Sequence, residues 1–262
     1  MITKERFSNI YTEIETAIKE TFKSLSENCP NEFALFLANA EYVEKYEKTK
    51  VFPYVIDYIV DEYREETREQ FLIDFLNRYY SFKEEDNRIE NDNYRRNIEL
   101  MIYTHIWEAT NFLKYLHRLS YLVKDGQYQW KVEIPDMQKY KFIQKIKSNL
   151  SNNNLSNIIE RSYHSSLRNA FAHSQYIFHT MNGEEKIKLL NYGDEKWELE
   201  DISFNDWTER FVNSFLLNYL LYKIIRDCRK NINPSTQFSV NINTIMLKFR
   251  YNEQNDSFSF ER

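Results

Sequence analysis

Apolar residues recur at helical spacing along most of this chain, and only three glycines and four prolines are present in 262 residues to interrupt them. A sequence so poor in turn formers is expected to fold as a mainly helical protein. The same scarcity limits its chemistry. A phosphate-cradling loop or a dinucleotide turn needs clustered glycines, and Gly126, Gly183 and Gly193 stand far apart, so neither is expected. Charged residues at 29% and hydrophobic residues at 42% suit a chain that buries a sizeable core, as one large domain or a domain with an appendage.

Taken in order, residues 4–27 place Phe7, Ile10, Ile14, Ile18, Phe22 and Leu25 on one helix face, and Asn28-Cys29-Pro30 ends the run. Pro30 suits the first turn of a second helix that carries Phe33 and Leu37 inward. A third helix, continuous or broken, is expected over 53–79, with Ile56, Phe71, Leu72 and Phe75 on its apolar stripe. The polar run 83–93 marks a boundary. It separates an N-terminal helical region over 1–90 from a domain over 91–235, and a C-terminal β-hairpin over 236–262 follows.

Residues 94–124 form the longest periodic segment, a single helix with Met101, Ile102, Ile106, Phe112, Leu113 and Leu116 on its face. Alternation predicts a short strand over 128–134, then a lysine-rich helix ending near Leu150 and another helix from Leu155 to His173. Asn182-Gly183 between two β-rich runs predicts a hairpin. The last long helix takes Asn205 or Asp206 as its cap, and the tail turns at 252–256.

Net charge is −5, the wrong sign for binding nucleic acid over the whole surface. Distribution matters more. Acidic residues crowd 57–69 and 84–92, whereas Lys124, Lys131, Lys139, Lys141, Lys145 and Lys147 make the middle basic, either as a phosphate-facing patch or as a solvated helix face. Cys29, Cys228, His105 and His117 have no second ligand at metal spacing, so no metal or other cofactor is expected. The opening residues 1–6 are polar and no apolar run of signal or membrane length follows them, so a cytoplasmic protein without membrane contact is expected.

The densest chemistry lies in Leu167-Arg168-Asn169-Ala170-Phe171-Ala172-His173, a helix end carrying a guanidinium, an amide and an imidazole. Leu155, Ile159, Tyr163, Leu167, Ala170 and Phe171 trace its core face, so Ser165, Arg168, Asn169 and Ala172 point elsewhere. Asn169 is four residues before His173 and neighbours it on the helix. At about 3.6 residues per turn, His173 lies roughly 140° round from Arg168. Either the last turn loosens, or the Arg and His that cooperate belong to different subunits.

This segment resembles the signature of the HEPN superfamily, in which Arg, four intervening residues and His mark ribonucleases, often with a polar residue directly after the Arg. Arg168, Asn169 and His173 match it position by position. The resemblance spans roughly 93–231 and implies a mainly α, HEPN-like helical bundle, here with an added N-terminal helical region and short β-hairpins. It further implies a homodimeric, metal-independent endoribonuclease with Arg168, His173 and Asn169 as catalytic residues. A toxin or phage-defence role, with RNA as substrate and an antitoxin or regulatory protein as partner, comes from the family alone.

Tyr176, His164 and Lys145 are the substrate-binding candidates. Tyr176 lies three residues after His173, where some members place a Tyr two residues after, and His164 is a second imidazole one turn before Arg168. Cleavage without metal needs a base for the ribose 2′-hydroxyl, a cation for the phosphorane and an acid for the 5′-oxygen, and two copies would supply them. The alternatives are a non-catalytic HEPN module that binds a nucleotide or protein, and a helical scaffold in which Arg168 and His173 only pair with carboxylates.

Overall fold

The computed structural model describes residues 2–57, 59–82, 88–89, 92–190, 198–242 and 245–261, with side chains of 59–66 and 88–89 excepted. Part of the polar run 83–93 thus lies outside the described residues. The chain runs β1 (Ile2–Thr3), α1 (Lys4–Asn28), α2 (Pro30–Leu37), β2 (Glu41–Tyr42), α3 (Glu44–Lys48), β3 (Tyr54–Val55), α4 (Ile59–Tyr79) and β4 (Arg88–Ile89). Next come α5 (Asn93–Glu108), α6 (Thr110–Asp125), α7 (Lys139–Asn149), α8 (Asn154–Ser162) and α9 (Ser165–Ala172). The chain then continues through β5 (Tyr176–Met181), β6 (Glu184–Leu189), β7 (Asp201–Ser203), α10 (Phe204–Lys230), β8 (Gln237–Ile242), β9 (Ile245–Asn252) and β10 (Ser257–Phe260). The architecture is mainly helical with small antiparallel sheets, β5-β6-β7 and β10-β9-β8 being three-stranded.

At the centre lies α10, buried along most of its length and packed against α1, α5 and α8. One apolar cluster takes Ile14 and Phe22 from α1, Ile106 from α5, Leu167 from α9, Phe215 from α10 and Phe249 from β9. No helix among the described residues is long and apolar enough to cross a membrane.

Several expected elements are built differently. The segment 94–124 is two helices that part at Ala109, where ψ is 108°. Trp107 and Phe112 are five residues apart and would face roughly 140° away from each other on a straight helix. The break lets both bury completely with ring centroids 5.6 Å apart. Neither Gly nor Pro marks it. Met101, expected in the apolar face, is exposed, as is Phe71 of α4. That helix begins at Ile59, later than expected, because Tyr54–Val55 pairs with Glu41–Tyr42 instead.

Residues 128–134 form no strand, since their polar groups find side chains and an isolated backbone partner rather than a ladder. Tyr128 N–H donates to Glu32, the Gln129 carbonyl accepts from Arg118 Nε at 3.1 Å, and the Trp130 carbonyl accepts from Tyr42 N–H at 3.1 Å. Ser203, rather than Asn205 or Asp206, caps α10 by accepting from Asp206 N–H. The tail turns at Glu253–Asn255 as expected but folds as a three-stranded meander. The hairpin at Asn182–Gly183 is present, both residues at positive φ (54° and 79°), which is how a two-residue turn matches strand twist.

Between α6 and α7, His117 stacks on Phe142 at 4.9 Å and 9°. Burial, then Lys145 and Arg118, push its pKa down from 6.5 to about 4. Burial first also lowers His105 and His164. The unfolded chain therefore takes up these protons first as pH falls, and stability is lost below the unfolded value of 6.5, for His117 down to about 4. After allowance for partial exposure, His117 is expected to account for roughly 1–2 kcal/mol between about pH 7 and pH 5. Urea midpoints at the two pH values, measured on wild type and His117→Phe, check this. The variant should show the smaller loss.

Candidate active site at the end of helix α9

The motif helix is also two helices. After Ser162 the chain extends through Tyr163 and His164 before α9 begins. The freed backbone groups are taken up by neighbours: Ser162 O accepts from Ser214 Oγ at 3.0 Å, and Arg210 donates to the carbonyls of Glu160 and Tyr163 at 3.1 and 3.0 Å. His164 N–H donates to Tyr103 Oη at 2.9 Å. Sequence periodicity missed this break because the apolar face carries straight across it.

Leu167, Ala170 and Phe171 anchor α9 in the core. Phe171 meets Tyr103, Trp207 and Tyr176 edge-on, with centroids 5.9, 5.0 and 5.4 Å away. Trp207 is held in turn by Glu99, which accepts from its Nε1 at 2.9 Å. The residue between Arg168 and His173 is thus fixed by buried rings.

The helix ends through two bonds, Ser174 N–H to Phe171 O at 3.2 Å and Gln175 N–H to Ala170 O at 2.7 Å, with Ser174 in the left-handed region at φ 54°. This paired closure makes His173 the last half-helical residue and leaves it exposed. No hydrogen bond or ion pair to its ring is found among the described residues. Arg168 is mostly buried and engaged: its guanidinium pairs with Glu108, and Nη1 donates to Asn169 Oδ1 at 2.8 Å. Glu108 also takes Lys139. Two cations therefore share one carboxylate, leaving a net positive charge in one half-buried cluster. Burial pushes the pKa of Tyr163, beside Arg168 and Glu108, up to about 12.

Arg168 and Asn169 are hydrogen-bonded to each other, but among the described residues no hydrogen bond joins Arg168 to His173. Tyr176 lies near, its ring on Phe171 and its hydroxyl donating to Asn97 Oδ1 at 3.0 Å. His164 faces elsewhere. Its Nδ1 accepts from Ser166 N–H at 3.2 Å, capping α9, and the residue lines a cleft of about 570 Å³ with Arg161, Lys186 and Arg210. Lys145 stands over Tyr121, with Nζ 5.3 Å from the ring centroid, six residues along α7 from Lys139. The basic middle of the chain is largely paired: Lys131 with Glu44 and Glu133, Lys139 with Glu108, Lys147 with Glu160.

Glu108 and Lys139 are the members of this cluster that sequence reasoning missed as site residues. Glu108 sits inside what reads as an unbroken helix, and only the turn at Ala109 brings it beside Arg168. The cap role of His164 gives a further expectation: His164→Ala should cost about 1 kcal/mol in urea unfolding, and His164→Asn, which can cap, markedly less.

Among the described residues no group of three or more His, Cys, Asp or Glu side chains is disposed to hold a metal ion. No family model, curated protein or solved structure matches the chain, so its chemistry is argued from these residues.

Proposed function

We propose that the chain is a metal-independent endoribonuclease of HEPN type, which cleaves RNA by attack of the ribose 2′-hydroxyl where two copies bring their α9 ends together. The observation that carries this reading is the contrast, within one short helix and its cap, between an exposed, unengaged imidazole at His173 and an Arg168 guanidinium held by Glu108 and Asn169. An RNA phosphate has the geometry to take the place of the Glu108 carboxylate on Arg168, since both accept the same planar fork. Lys139, paired with the same carboxylate, places a second cation beside that phosphate.

One His and one Arg per copy cannot act as base, acid and cation together. Two copies supply two imidazoles, one to take a proton and one to give it, and two guanidiniums for the phosphorane. Asn169 orients Arg168 through its amide oxygen. The products are a 2′,3′-cyclic phosphate and a 5′-hydroxyl end, and DNA, without the attacking hydroxyl, is spared. A toxin or phage-defence role, with an antitoxin as partner, belongs to the same reading through the family resemblance.

The test is incubation of the purified protein with a mixed RNA pool in EDTA, with mapping of the ends formed. Cyclic-phosphate ends and an intact DNA control are expected; intact RNA would overturn the reading. The engagement of Arg168 by Glu108 also suits a second reading, a HEPN module that binds a nucleotide or a protein through other residues without cutting. Nucleotide binding that survives Arg168→Ala and His173→Ala, with RNA intact, would select it.

A further inference from the structure

The two three-stranded sheets present four outer edges, and three of them are closed. On β10 the outward N–H of Phe258 donates to the Asp57 carboxylate. On β8 that of Ser239 donates to Asn31 Oδ1 at 3.1 Å. The strand β7 is three residues long, begins with Asp201 and runs straight into α10. Short, charged or covered edges are how proteins prevent strand-to-strand association.

Among the described residues the fourth edge, β5, has none of these protections. Its six residues, Tyr176-Ile177-Phe178-His179-Thr180-Met181, include no Lys, Arg, Asp, Glu, Pro or Gly. Leu190 N–H donates to Gln175 O at 2.8 Å, which fixes the alternation of the ladder with β6: Ile177, His179 and Met181 bond inward, so Tyr176, Phe178 and Thr180 turn their N–H and C=O groups outward. No bond to those groups is found among the described residues. Ile177 and Met181, on the outer face, are 46% and 51% exposed.

We infer that β5 is a self-association edge, through which two copies pair antiparallel to join their sheets into one of six strands. A second copy is the occupant that this strand fits. Two-fold pairing centred on Phe178 sets Tyr176 against the partner's Thr180 and Ile177 against the partner's His179, and no like charges meet. The outward groups of three residues on each side supply the bonds. The two His173 residues then lie beyond opposite ends of a strand about 20 Å long, so this pairing does not assemble the two-copy site. It is a second, separate contact, and it stands whether or not the chain cuts RNA. A chain with two isologous contacts assembles beyond the dimer, into closed tetramers or open rows.

The test is hydrogen exchange on the wild-type chain across a range of protein concentrations, with sedimentation on the same samples. The amides of Tyr176, Phe178 and Thr180 are expected to gain protection as the associated fraction rises. In Thr180→Pro, which removes an outward N–H that β6 does not use, the association that protects these amides should weaken at least tenfold. A chain that stays monomeric, or one that associates while these three amides exchange freely, would overturn the inference. RNA cleavage assayed on the same variant reports on the ribonuclease reading separately.

Discussion

Glu99→Ala is expected to destabilise the chain by about 3–5 kcal/mol, the largest loss from any single side chain around the site. Glu99 is fully buried and receives Arg95 and Arg96 at 2.9 and 2.8 Å, together with the Tyr80 hydroxyl at 2.7 Å and the Trp207 indole at 2.9 Å. Removing the carboxylate takes from two guanidiniums, 3% and 0% exposed, the anion they share, and from two neutral donors the acceptor they use there. Taking one partner out of a buried ion pair costs far more than the well-formed pair contributes, which sets the size of the effect.

Substitution by Gln should recover only part of the loss, because a neutral amide can accept from one or two of these donors but cannot balance the charge. Urea unfolding of the three proteins checks the ranking. A loss under about 1 kcal/mol would mean that the arginines find other partners. The site should feel the change too, since Trp207 packs at 5.0 Å on Phe171, between Arg168 and His173.

His173→Ala is expected to lower RNA cleavage by about a hundredfold to ten-thousandfold, the range for loss of a general acid or base. The fold should be untouched, because the ring is exposed and makes no bond among the described residues. Arg168→Ala should lower cleavage by about a hundredfold to a thousandfold, as loss of a donor to developing charge does. Its stability cost should stay near 1 kcal/mol, since Glu108 keeps Lys139.

Arg168→Lys should recover RNA binding but little rate, because a point charge lacks the planar fork that holds two phosphate oxygens. In heterodimers mixed from the two alanine variants, one intact Arg168 and one intact His173 are brought across the interface. Because both imidazoles are needed, no cleavage is expected from the mixture; cleavage restored there would instead show that a single Arg–His pair placed on different copies suffices. Wild-type rates unchanged in both single variants would remove the motif from the chemistry altogether.

The sequence by itself determined what local rules control. Spacing of apolar residues located α1, α2 and α10, and Asn182-Gly183 announced the β5–β6 hairpin because only residues that tolerate positive φ turn a chain in two residues. It also determined which residues of α9 face inward, since helical periodicity survives a change in where the helix starts. Candidate chemistry was legible as residue types, with Arg168 and Asn169 adjacent and His173 at a helix end.

Tertiary structure decided where helices break and which charges meet. No turn former stands at Ala109 or at Tyr163–His164, and both breaks exist because distant groups make them favourable: Trp107 and Phe112 bury together, and Arg210, Ser214 and Tyr103 satisfy the backbone that the helices release. The break at Ala109 then puts Glu108 onto Arg168, and the break before α9 makes His164 the cap of that helix. Those outcomes depend on residues separated by up to 61 positions, where burial and unsatisfied hydrogen bonds outweigh local propensity, and spacing along one helix carries no record of either.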